Sequence, residues 1–228
     1  QRNPASDSID EISTLEVLNI INGEDCKIVP ALASELPRIA AAVDATSAAL
    51  AQGGRLIYLG AGTSGRLGVL DAAECPPTFG TDPGLVQALI AGGPEAAFRS
   101  VEGAEDDRSG ATQALRQLKL EPPDILVGIA ASGVTPFVLE GLSFARGRNC
   151  RTVLFSCSPT AAASVEADIK VVPVVGPEVI TGSTRMKSGT ATKLFLNMLS
   201  TASMVKLGKT YGNLMVDLKP WNAKLKDR

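Results

Sequence analysis

The chain has 228 residues, of which 45% are hydrophobic and 20% are charged, and its formal net charge is −2. This length suits one large domain, and the charge, without any run of Lys or Arg, argues against a nucleic-acid-binding surface. The sequence contains no histidine, which excludes Ser-His and Cys-His nucleophile pairs and nearly all common zinc sites. Carboxylates, Lys, Tyr or Cys must therefore carry any acid–base chemistry at neutral pH.

The first fifty residues predict helices. Residues 13–16 have the S-x-x-E spacing of a capping box and precede an apolar run. A second helical stripe, rich in alanine, extends over 34–52, and a pair of glycines ends it. We therefore expect residues 1–54 to form a helical segment that packs on the core.

Short apolar runs then alternate with helical patterns. Nearly every residue of these runs is apolar, which is typical of strands in a parallel sheet that is covered on both faces. Strands are predicted at 55–59, 85–91, 124–130, 152–156 and 169–175, and helices at 65–72, 94–102, 110–118, 136–146, 161–166 and 186–207. The pattern predicts an α/β fold with a doubly wound, mostly parallel five-stranded sheet over 55–210, followed by a tail over 211–228.

Three loops combine glycine with hydroxyl side chains at the start of a predicted helix. Two of them, 60–66 and 131–136, follow the first and third strands, which usually flank the point where a doubly wound sheet binds its ligand. The third, 181–185, precedes the long final helix. Backbone N–H groups, hydroxyls and the positive end of a helix dipole together favour an anion such as phosphate.

Two other interpretations of these loops stay open. The spacing of Gly60, Gly62 and Gly65 matches the G-x-G-x-x-G fingerprint of a dinucleotide site, but the second predicted strand ends without the carboxylate that such a site places on the ribose. Each loop could also be a plain turn whose Ser or Thr caps the following helix. Three such loops on one candidate edge of the sheet favour the phosphate site.

Carboxylates near these loops are candidates for acid–base chemistry. Glu74 comes just before Pro76 and Pro77, which are expected to end the first helix and to hold Glu74 near the glycine loop. Glu105 belongs to an acidic cluster that could also be a solvated helix end, and Glu178 has apolar neighbours and is expected to be buried. A buried carboxyl can keep its proton near neutral pH, so such groups can supply both an acid and a base.

The cysteines and the hydropathy point to an intracellular protein. The four cysteines lie far apart without a C-x-x-C pair, and reduced thiols are the expected state. No apolar stretch approaches the roughly 18 residues of a membrane span, and the first residues do not form a signal peptide. We therefore expect a cytoplasmic protein that does not act on membranes.

Seven segments, taken together, carry a resemblance to a known family. They are STLE at 13–16, LGAGTSGRLG at 59–68, ECPPT at 74–78, VEGAED at 101–106, GIAASG at 128–133, EVITGSTRMK at 178–187 and YGNLMVD at 211–217. Over essentially the whole chain, they resemble the N-acetylmuramic acid 6-phosphate etherases. The resemblance implies a sugar isomerase (SIS) type fold with flavodoxin-like strand order, a homodimer, a cytoplasmic role in recycling peptidoglycan sugars, and no metal or organic cofactor.

The resemblance also implies a reaction and the residues that perform it. The reaction removes the D-lactyl ether from carbon 3 of the sugar phosphate with water, by elimination and hydration, and gives N-acetylglucosamine 6-phosphate and D-lactate. Glu74 matches the acid that protonates the departing lactate, and Glu105 matches the second catalytic glutamate, the base at carbon 2. The residues implied for binding the phosphate are Gly62, Thr63, Ser64, Ser132, Thr135, Ser183 and Thr184. Lys187 could add positive charge there or be a surface lysine.

Two features depart from the family pattern, and two other functions stay open. Val134 stands where the family usually has a basic residue, and the family's C-terminal helical subdomain has no counterpart in a sequence that stops at Arg228. One alternative is a non-catalytic sugar-phosphate-binding regulatory protein, like the related glucokinase regulatory proteins. The other is an aldose–ketose isomerase. The two glutamates within family-like segments favour the etherase.

Overall fold

Five parallel strands form the central sheet of the protein. The computed structural model describes residues 1–217, and in them the sheet strands are β1 (Leu56–Gly60), β2 (Val86–Ile90), β3 (Ile125–Ile129), β4 (Arg151–Phe155) and β5 (Ile169–Val171). Their order is β2-β1-β3-β4-β5, and each neighbouring pair is parallel. The predicted α/β fold with a doubly wound, five-stranded sheet is confirmed.

The last strand of the sheet, β5, ends at Val171 and not at the predicted position 175. The N–H of Val172 donates to Glu35 Oε2 over 2.9 Å instead of continuing the sheet. Pro173 follows, and a proline has no N–H to donate to a neighbouring strand. Sheet pairing therefore stops earlier than the apolar pattern alone suggests.

Helices precede the sheet and cover both of its faces. Helices α1 (Thr14–Asp25), α2 (Ile28–Ala33) and α3 (Leu36–Ala51) come first, and α4 (Gly62–Phe79), α5 (Arg108–Gln117), α6 (Pro136–Gly147), α7 (Pro159–Ala163) and α8 (Lys187–Lys206) follow. A short antiparallel pair, β6 (Thr210–Tyr211) and β7 (Leu214–Met215), comes after α8. Among residues 1–217, no helix has the length and apolar character needed to cross a bilayer.

The capping box predicted at the start of α1 is confirmed. The N–H of Glu16 donates to Ser13 Oγ, and the Glu16 carboxylate accepts a hydrogen bond from the N–H of Ser13. The helix predicted at 94–102 is wrong, because only Pro94–Ala97 forms a 3-10 turn there. Gly103 has a φ of 69°, which a right-handed helix cannot continue through. Glu105 therefore lies in a second short turn, Ala104–Asp106.

Helix α4 continues through Pro76 and Pro77, so the expectation that these prolines end the helix at Glu74 is wrong. Both prolines lie in its last turn, and the helix ends at Phe79. There the lack of two proline N–H groups removes only two intrahelical hydrogen bonds. Gly80, with a φ of 62°, terminates the helix and donates its N–H to the Pro76 carbonyl over 3.0 Å.

Both faces of the sheet are buried under helices. On one face, strand residues such as Tyr58 and Val127 pack with residues of α3, α4 and α8. On the other face, Leu59 and Leu126 pack with residues of α5 and α6. Because each face has its own helical layer, β1 and β3 are buried at every position.

Candidate functional site

The strand order reverses between β1 and β3, and two of the three predicted phosphate loops start there. Gly60 at the end of β1 is paired with Ile129 at the end of β3. The loops that begin at Ala61 and Ala130 therefore leave the same edge of the sheet side by side. Ligands of doubly wound sheets bind at such a reversal, so these two loops are neighbours at the expected place.

Glycines at 60 and 65 allow β1 to turn directly into α4. The N–H of Gly65 donates to the Ala61 carbonyl over 3.2 Å. A Cβ at Gly60 would lie 2.7 Å from the Gly65 nitrogen, and a Cβ at Gly65 would lie 2.6 Å from Ile90 Cγ1. Neither position has room for a side chain. The tight turn from strand to helix thus accounts for Gly60 and Gly65 without a bound dinucleotide.

No side chain caps α4 or α6 in the part of the chain that the structure describes. Their N-cap residues are Ala61 and Thr135, and neither helix start has a side-chain hydrogen bond. The alternative in which a loop hydroxyl caps its own helix is therefore wrong for both. The N–H groups of a first helical turn have no partner within the helix and, together with the helix dipole, favour an anion.

The second loop presents Ser132 and Val134 at the surface. Between them Gly133 has a φ of 76°, and a Cβ there would lie 2.6 Å from Ala161 Cβ. The loop therefore packs so closely on α7 that only glycine fits. Val134 is 61% exposed, so the position where the family resemblance expects a basic residue presents an apolar side chain to solvent.

The third loop meets the first loop at the start of α8. A Cβ added at Gly189 would lie 3.5 Å from Thr63 Cγ2 and 3.6 Å from the carbonyl oxygen of Thr184. Ser183 is half-buried and Thr184 is exposed. The side chain of Thr63 and the backbone of Thr184, from two distant parts of the sequence, therefore lie close together beside Gly189.

Glu178 caps the start of α8. Its two carboxylate oxygens accept hydrogen bonds from the N–H groups of Lys187 and Ser188, each over 2.9 Å. Glu178 is 5% exposed, so its expected burial is confirmed. Because its carboxylate occupies these N–H groups and adds a negative charge, α8 does not offer them to an anion as the sequence pattern predicts. Glu178 is a helix cap.

Lys187 is neither a surface lysine nor a free charge for a phosphate. It is 0% exposed, and its Nζ lies 2.5 Å from Glu24 Oε2. A buried ammonium needs a carboxylate partner, and Glu24 supplies it. Sequence reasoning missed Glu24 because 163 residues separate the two partners, and no local pattern marks the pair.

Glu105 shares a cavity with the first loop. The cavity has a volume of about 230 Å³, and its lining includes Ala61, Gly62, Arg66 and Glu105. Arg66 Nη2 donates to the Arg99 carbonyl over 3.0 Å, which attaches α4 to the segment before Glu105. Arg66 was missed as a cavity residue, although it is the one basic residue of the first loop. The cavity thus joins Glu105 to the backbone end of the first loop at Gly62, and its lining includes none of the six Ser and Thr residues predicted to bind phosphate.

Glu74 does not line this cavity. It comes twelve residues after Gly62 in α4, which corresponds to about 18 Å along the helix axis. Because residues 62–74 form one continuous stretch of α4, the expectation that Glu74 lies near the glycine loop is wrong within one chain. The side chains of Glu74 and Glu105 are both exposed.

A buried polar network holds α4 against the sheet and α8. Tyr58 Oη donates to Asp71 Oδ2 over 2.8 Å, and Lys193 Nζ lies 3.5 Å from Asp71 Oδ1. Burial raises the pKa of the Asp71 carboxyl, although these donors oppose the rise. Burial also raises the pKa of the Cys75 thiol to about 12. The thiol therefore stays protonated, and Cys75 is not a nucleophile.

Comparison with curated proteins assigns the chain to a family. An N-acetylmuramic acid 6-phosphate etherase from Edwardsiella ictaluri is 59% identical over 228 residues, which cover 100% of this chain and 76% of that protein. This chain belongs to the N-acetylmuramic acid 6-phosphate etherase family. Etherases of Pectobacterium atrosepticum and Yersinia pestis are 58% and 59% identical over 227 residues, which cover 100% of this chain and 75% and 77% of those proteins.

A domain model and solved structures agree with the fold of this etherase-family chain. The model named glucokinase regulatory protein N-terminal SIS domain matches residues 38–146. A phosphoheptose isomerase from Neisseria gonorrhoeae has a TM-score of 0.63 at 17% identity, over 84% of this chain and 98% of that chain. The Vibrio vulnificus NanR protein complexed with ManNAc-6P has a TM-score of 0.57 at 15% identity, over 84% and 65%. At such identities, the likeness shows the fold alone.

Proposed function

We propose that this chain cleaves the D-lactyl ether of N-acetylmuramic acid 6-phosphate with water, giving N-acetylglucosamine 6-phosphate and D-lactate. That reaction makes it a carbon–oxygen lyase. Its identity of 59% to a named etherase over the whole chain supports the proposal. The observation that carries it is the cavity shared by Glu105 and the first glycine loop, because a reaction on a sugar phosphate needs a base beside a phosphate-binding site.

In this proposal the phosphate binds where the loops after β1 and β3 meet. The uncapped first turns of α4 and α6 donate backbone N–H groups. Further donors come from the side chains of Thr63, Ser64, Ser132, Thr135, Ser183 and Thr184, while Gly62 leaves space at the start of α4. Lys187 contributes to this site only indirectly, since its ammonium is paired with Glu24.

The two glutamates divide the chemistry between them. In the open-chain sugar, the aldehyde next to carbon 2 stabilises the negative charge that forms when Glu105 removes the carbon 2 proton. The carbon 3–oxygen bond then breaks, a double bond forms between carbons 2 and 3, and Glu74 protonates the departing lactate. The Glu74 carboxylate next takes a proton from water, which adds to carbon 3 as Glu105 returns its proton to carbon 2. One water is consumed, and the aldehyde acts as the electron sink without a metal or an organic cofactor.

We infer that the functional unit is a homodimer. Helix α1 carries apolar residues such as Leu15 and Leu18, which are 68% and 56% exposed, and its one buried residue is Glu24. A helix of 12 residues is marginal in water unless it buries its apolar side. Docking of α1 on a second copy of the chain supplies that burial.

A second copy also accounts for the position of Glu74. Within one chain, Glu74 is exposed and about 18 Å along α4 from Gly62. When two chains form the site together, Glu74 of the second copy can reach the sugar held by the first.

Light scattering coupled to size-exclusion chromatography tests the dimer. The expected mass is twice the 23.6 kDa of one chain. Changing Leu15 and Leu18 together to Glu should give folded monomers that release no D-lactate. A wild-type chain that is monomeric and active contradicts the dimer.

We also propose that the protein works in the cytoplasm, in the recycling of cell-wall sugars. Its four cysteines are free, and Cys26 is exposed, which suits a reducing compartment. Cell fractionation with an antibody to the chain tests this location. Recovery of the protein outside the cytoplasm contradicts it.

The first measurement is a D-lactate assay with N-acetylmuramic acid 6-phosphate. We expect the wild type to release D-lactate, and we expect Glu74→Gln to release none while it still exchanges the carbon 2 proton with solvent. Glu105→Gln should abolish both. Normal lactate release by Glu74→Gln contradicts its role as the acid.

A regulatory protein is the second candidate, because the matching domain model describes glucokinase regulatory proteins. Saturable binding of the sugar phosphate without any lactate release would favour that function. Formation of a ketose from an aldose phosphate would instead favour an isomerase. The identity to etherases over the full chain favours the lyase over both.

A further inference from the structure

The amino-terminal residues hold the chain segment that leads into the third loop. Asn3 Nδ2 donates to the Pro177 carbonyl over 3.0 Å, and Ser6 Oγ donates to the Val179 carbonyl over 2.7 Å. Asn3 and Ser6 are both buried. These contacts flank the α8 cap Glu178, so the start of the loop is attached to residues 173 and 174 positions away in the sequence.

A buried ion pair holds the other end of the same loop. Glu24 Oε2 lies 2.5 Å from Lys187 Nζ, and the two side chains are 4% and 1% exposed. Lys27 Nζ lies 2.5 Å from the other oxygen of the Glu24 carboxylate. Glu24 is the one fully buried residue of α1, whereas its apolar residues Val17, Ile20 and Ile21 are half-buried.

The ion pair determines where α8 and the third loop lie. Lys187 is the first residue of α8, at the end of the helix dipole that disfavours a cation. A buried ammonium without its carboxylate is strongly unfavourable, so Lys187 holds its position only with Glu24 in place. Ser183 and Thr184 come four and three residues before this helix start, and the carbonyl oxygen of Thr184 lies on the same side of Gly189 as the side chain of Thr63.

We propose that Glu24 is a positioning residue for phosphate binding. Acting through Lys187, it holds Ser183 and Thr184 beside Thr63, so that hydroxyls of the third and first loops reach one phosphate. This inference rests on the proposed function, because it concerns the phosphate of the same substrate. It extends the site to α1, which lies outside the residues 38–146 that the SIS model matches.

Glu24→Gln tests the proposal, because the amide keeps the shape of the side chain and loses its charge. We expect KM for N-acetylmuramic acid 6-phosphate and Kd for N-acetylglucosamine 6-phosphate to rise about tenfold, with kcat within about twofold of the wild type. Glu24→Asp, which keeps the charge, should recover part of the affinity. A folded Glu24→Gln variant with wild-type KM and Kd overturns the proposal.

Asp124 offers a matched control at the opposite edge of the sheet. It is 3% exposed and its Oδ2 lies 2.5 Å from Arg55 Nη2, just before β3 begins. Asp124→Asn removes a similarly buried carboxylate from an ion pair far from the phosphate loops. We expect it to lower Tm as Glu24→Gln does while leaving Kd unchanged. An equal rise of Kd in both variants would show a general loss of order and overturn the proposal.

A double-mutant cycle separates positioning from a general effect. If Glu24 acts through the third loop, Ser183→Ala should weaken binding clearly in the wild type and hardly at all in the Glu24→Gln background. Additive losses overturn the proposal. If Glu24→Gln does not fold, Ser6→Ala takes its place, since it loosens the same segment without leaving an unpaired charge, and it should also raise Kd without lowering kcat.

The wild type distinguishes failure of this inference from failure of the proposed function. Calorimetry with N-acetylglucosamine 6-phosphate requires no turnover. Absence of binding to the wild type overturns the proposed function and the inference together. Binding by the wild type with no change in Glu24→Gln overturns the inference alone.

Discussion

The sequence places a run of glycine and hydroxyl residues at the starts of both α4 and α8, but the first run forms the first turn of α4 itself, and the two starts differ in what they offer an anion. The first turn of α4 has no side-chain cap. At α8 the carboxylate of Glu178 accepts from the N–H groups of Lys187 and Ser188. The difference comes from a residue nine positions before α8, outside the loop motif. A glycine–hydroxyl loop before a helix therefore predicts an anion site only where no carboxylate already caps the helix.

The two starts also differ in how closely their glycines are packed. Gly65 in the first turn of α4 touches the end of β1 and the side chain of Ile90, whereas Gly189 in the first turn of α8 has only ordinary contacts with Thr63 and Thr184. The start of α4 is thus rigidly built on the sheet. The start of α8 depends on side chains from elsewhere, Glu178 and Glu24.

The largest effect is expected from Gly65→Ala. Its added Cβ would lie 2.6 Å from Ile90 Cγ1 and 2.8 Å from the Gly60 carbonyl oxygen. We expect the free energy of unfolding to fall by about 3 kcal/mol in urea denaturation, together with loss of sugar-phosphate binding. Gly189→Ala is the control and should leave stability unchanged or raise it by up to about 1 kcal/mol. Equal losses in the two variants would contradict the difference in packing.

The second-largest effect is expected from acid, which should reduce the stability that Glu24 gives to the start of α8. Burial raises the pKa of Glu24, but hydrogen bonds from Lys187, Lys27 and Asn3 outweigh burial and lower this pKa from 4.5 to about 2. A carboxyl whose folded pKa is depressed contributes stability that is complete above its unfolded pKa and is lost as the pH falls towards the folded value. We therefore expect a loss of at most about 3 kcal/mol between pH 4.5 and 2.

Urea unfolding of the wild type and of Glu24→Gln at a series of pH values measures this loss. The Glu24→Gln variant should show a smaller decrease of stability over the same pH range, because a glutamine does not titrate. Parallel pH profiles for the two proteins would show that Glu24 is not the group responsible.

Removing Glu178 should leave α8 without a side-chain cap, as α4 is, so that its first N–H groups can bind an anion. Glu178→Ala leaves two N–H groups unpaired, and we expect the free energy of unfolding to fall by about 2 kcal/mol. Inorganic phosphate should then raise Tm of this variant more than that of the wild type. Glu178→Gln, which keeps one acceptor oxygen, should lose about half as much stability. If phosphate stabilises both proteins equally, Glu178 does not decide the anion affinity of α8.

The smallest effect is expected at a single hydroxyl of the α4 start. Ser64→Ala should raise Kd for N-acetylglucosamine 6-phosphate about tenfold, or about 1.4 kcal/mol, through one hydrogen bond to a charged group. Thr190→Ala in the first turn of α8 is the control, because Thr190 is exposed, and it should leave Kd unchanged. Titration calorimetry measures Kd for both variants. An unchanged Kd in Ser64→Ala would show that Ser64 does not bind the phosphate.

Most of the fold was predictable because its signals are local. The strands follow from short apolar runs, and the capping box at the start of α1 follows from four adjacent residues. The exceptions are also instructive. Pro76 and Pro77 were expected to stop α4, yet prolines in a last turn remove few hydrogen bonds and the helix ends at Gly80. The segment 94–102 has helical spacing, but only Pro94–Ala97 turns, as a short 3-10 helix, and Phe98 after it is exposed and not packed on the core.

The candidate site was predictable in part. The loops after β1 and β3 meet as expected, and Glu105 lines the cavity of the first loop. The roles of the two glutamates and of the loop hydroxyls stay predictions. Glu74 shows the limit of the sequence, because its distance from the loop depends on α4 continuing without a break from Gly62 to Glu74.

By itself, the sequence determined the order of helices and strands, the glycine turns and the family, since these depend on residues that are adjacent or in regular spacing. Only the tertiary structure decided which charges are buried and what they touch. Glu178 became a helix cap, and Lys187 became half of an ion pair with Glu24. The physical reason is that a buried charge needs an opposite charge or a hydrogen-bond partner within a few ångströms. For Lys187 that partner is Glu24, 163 residues away in the chain.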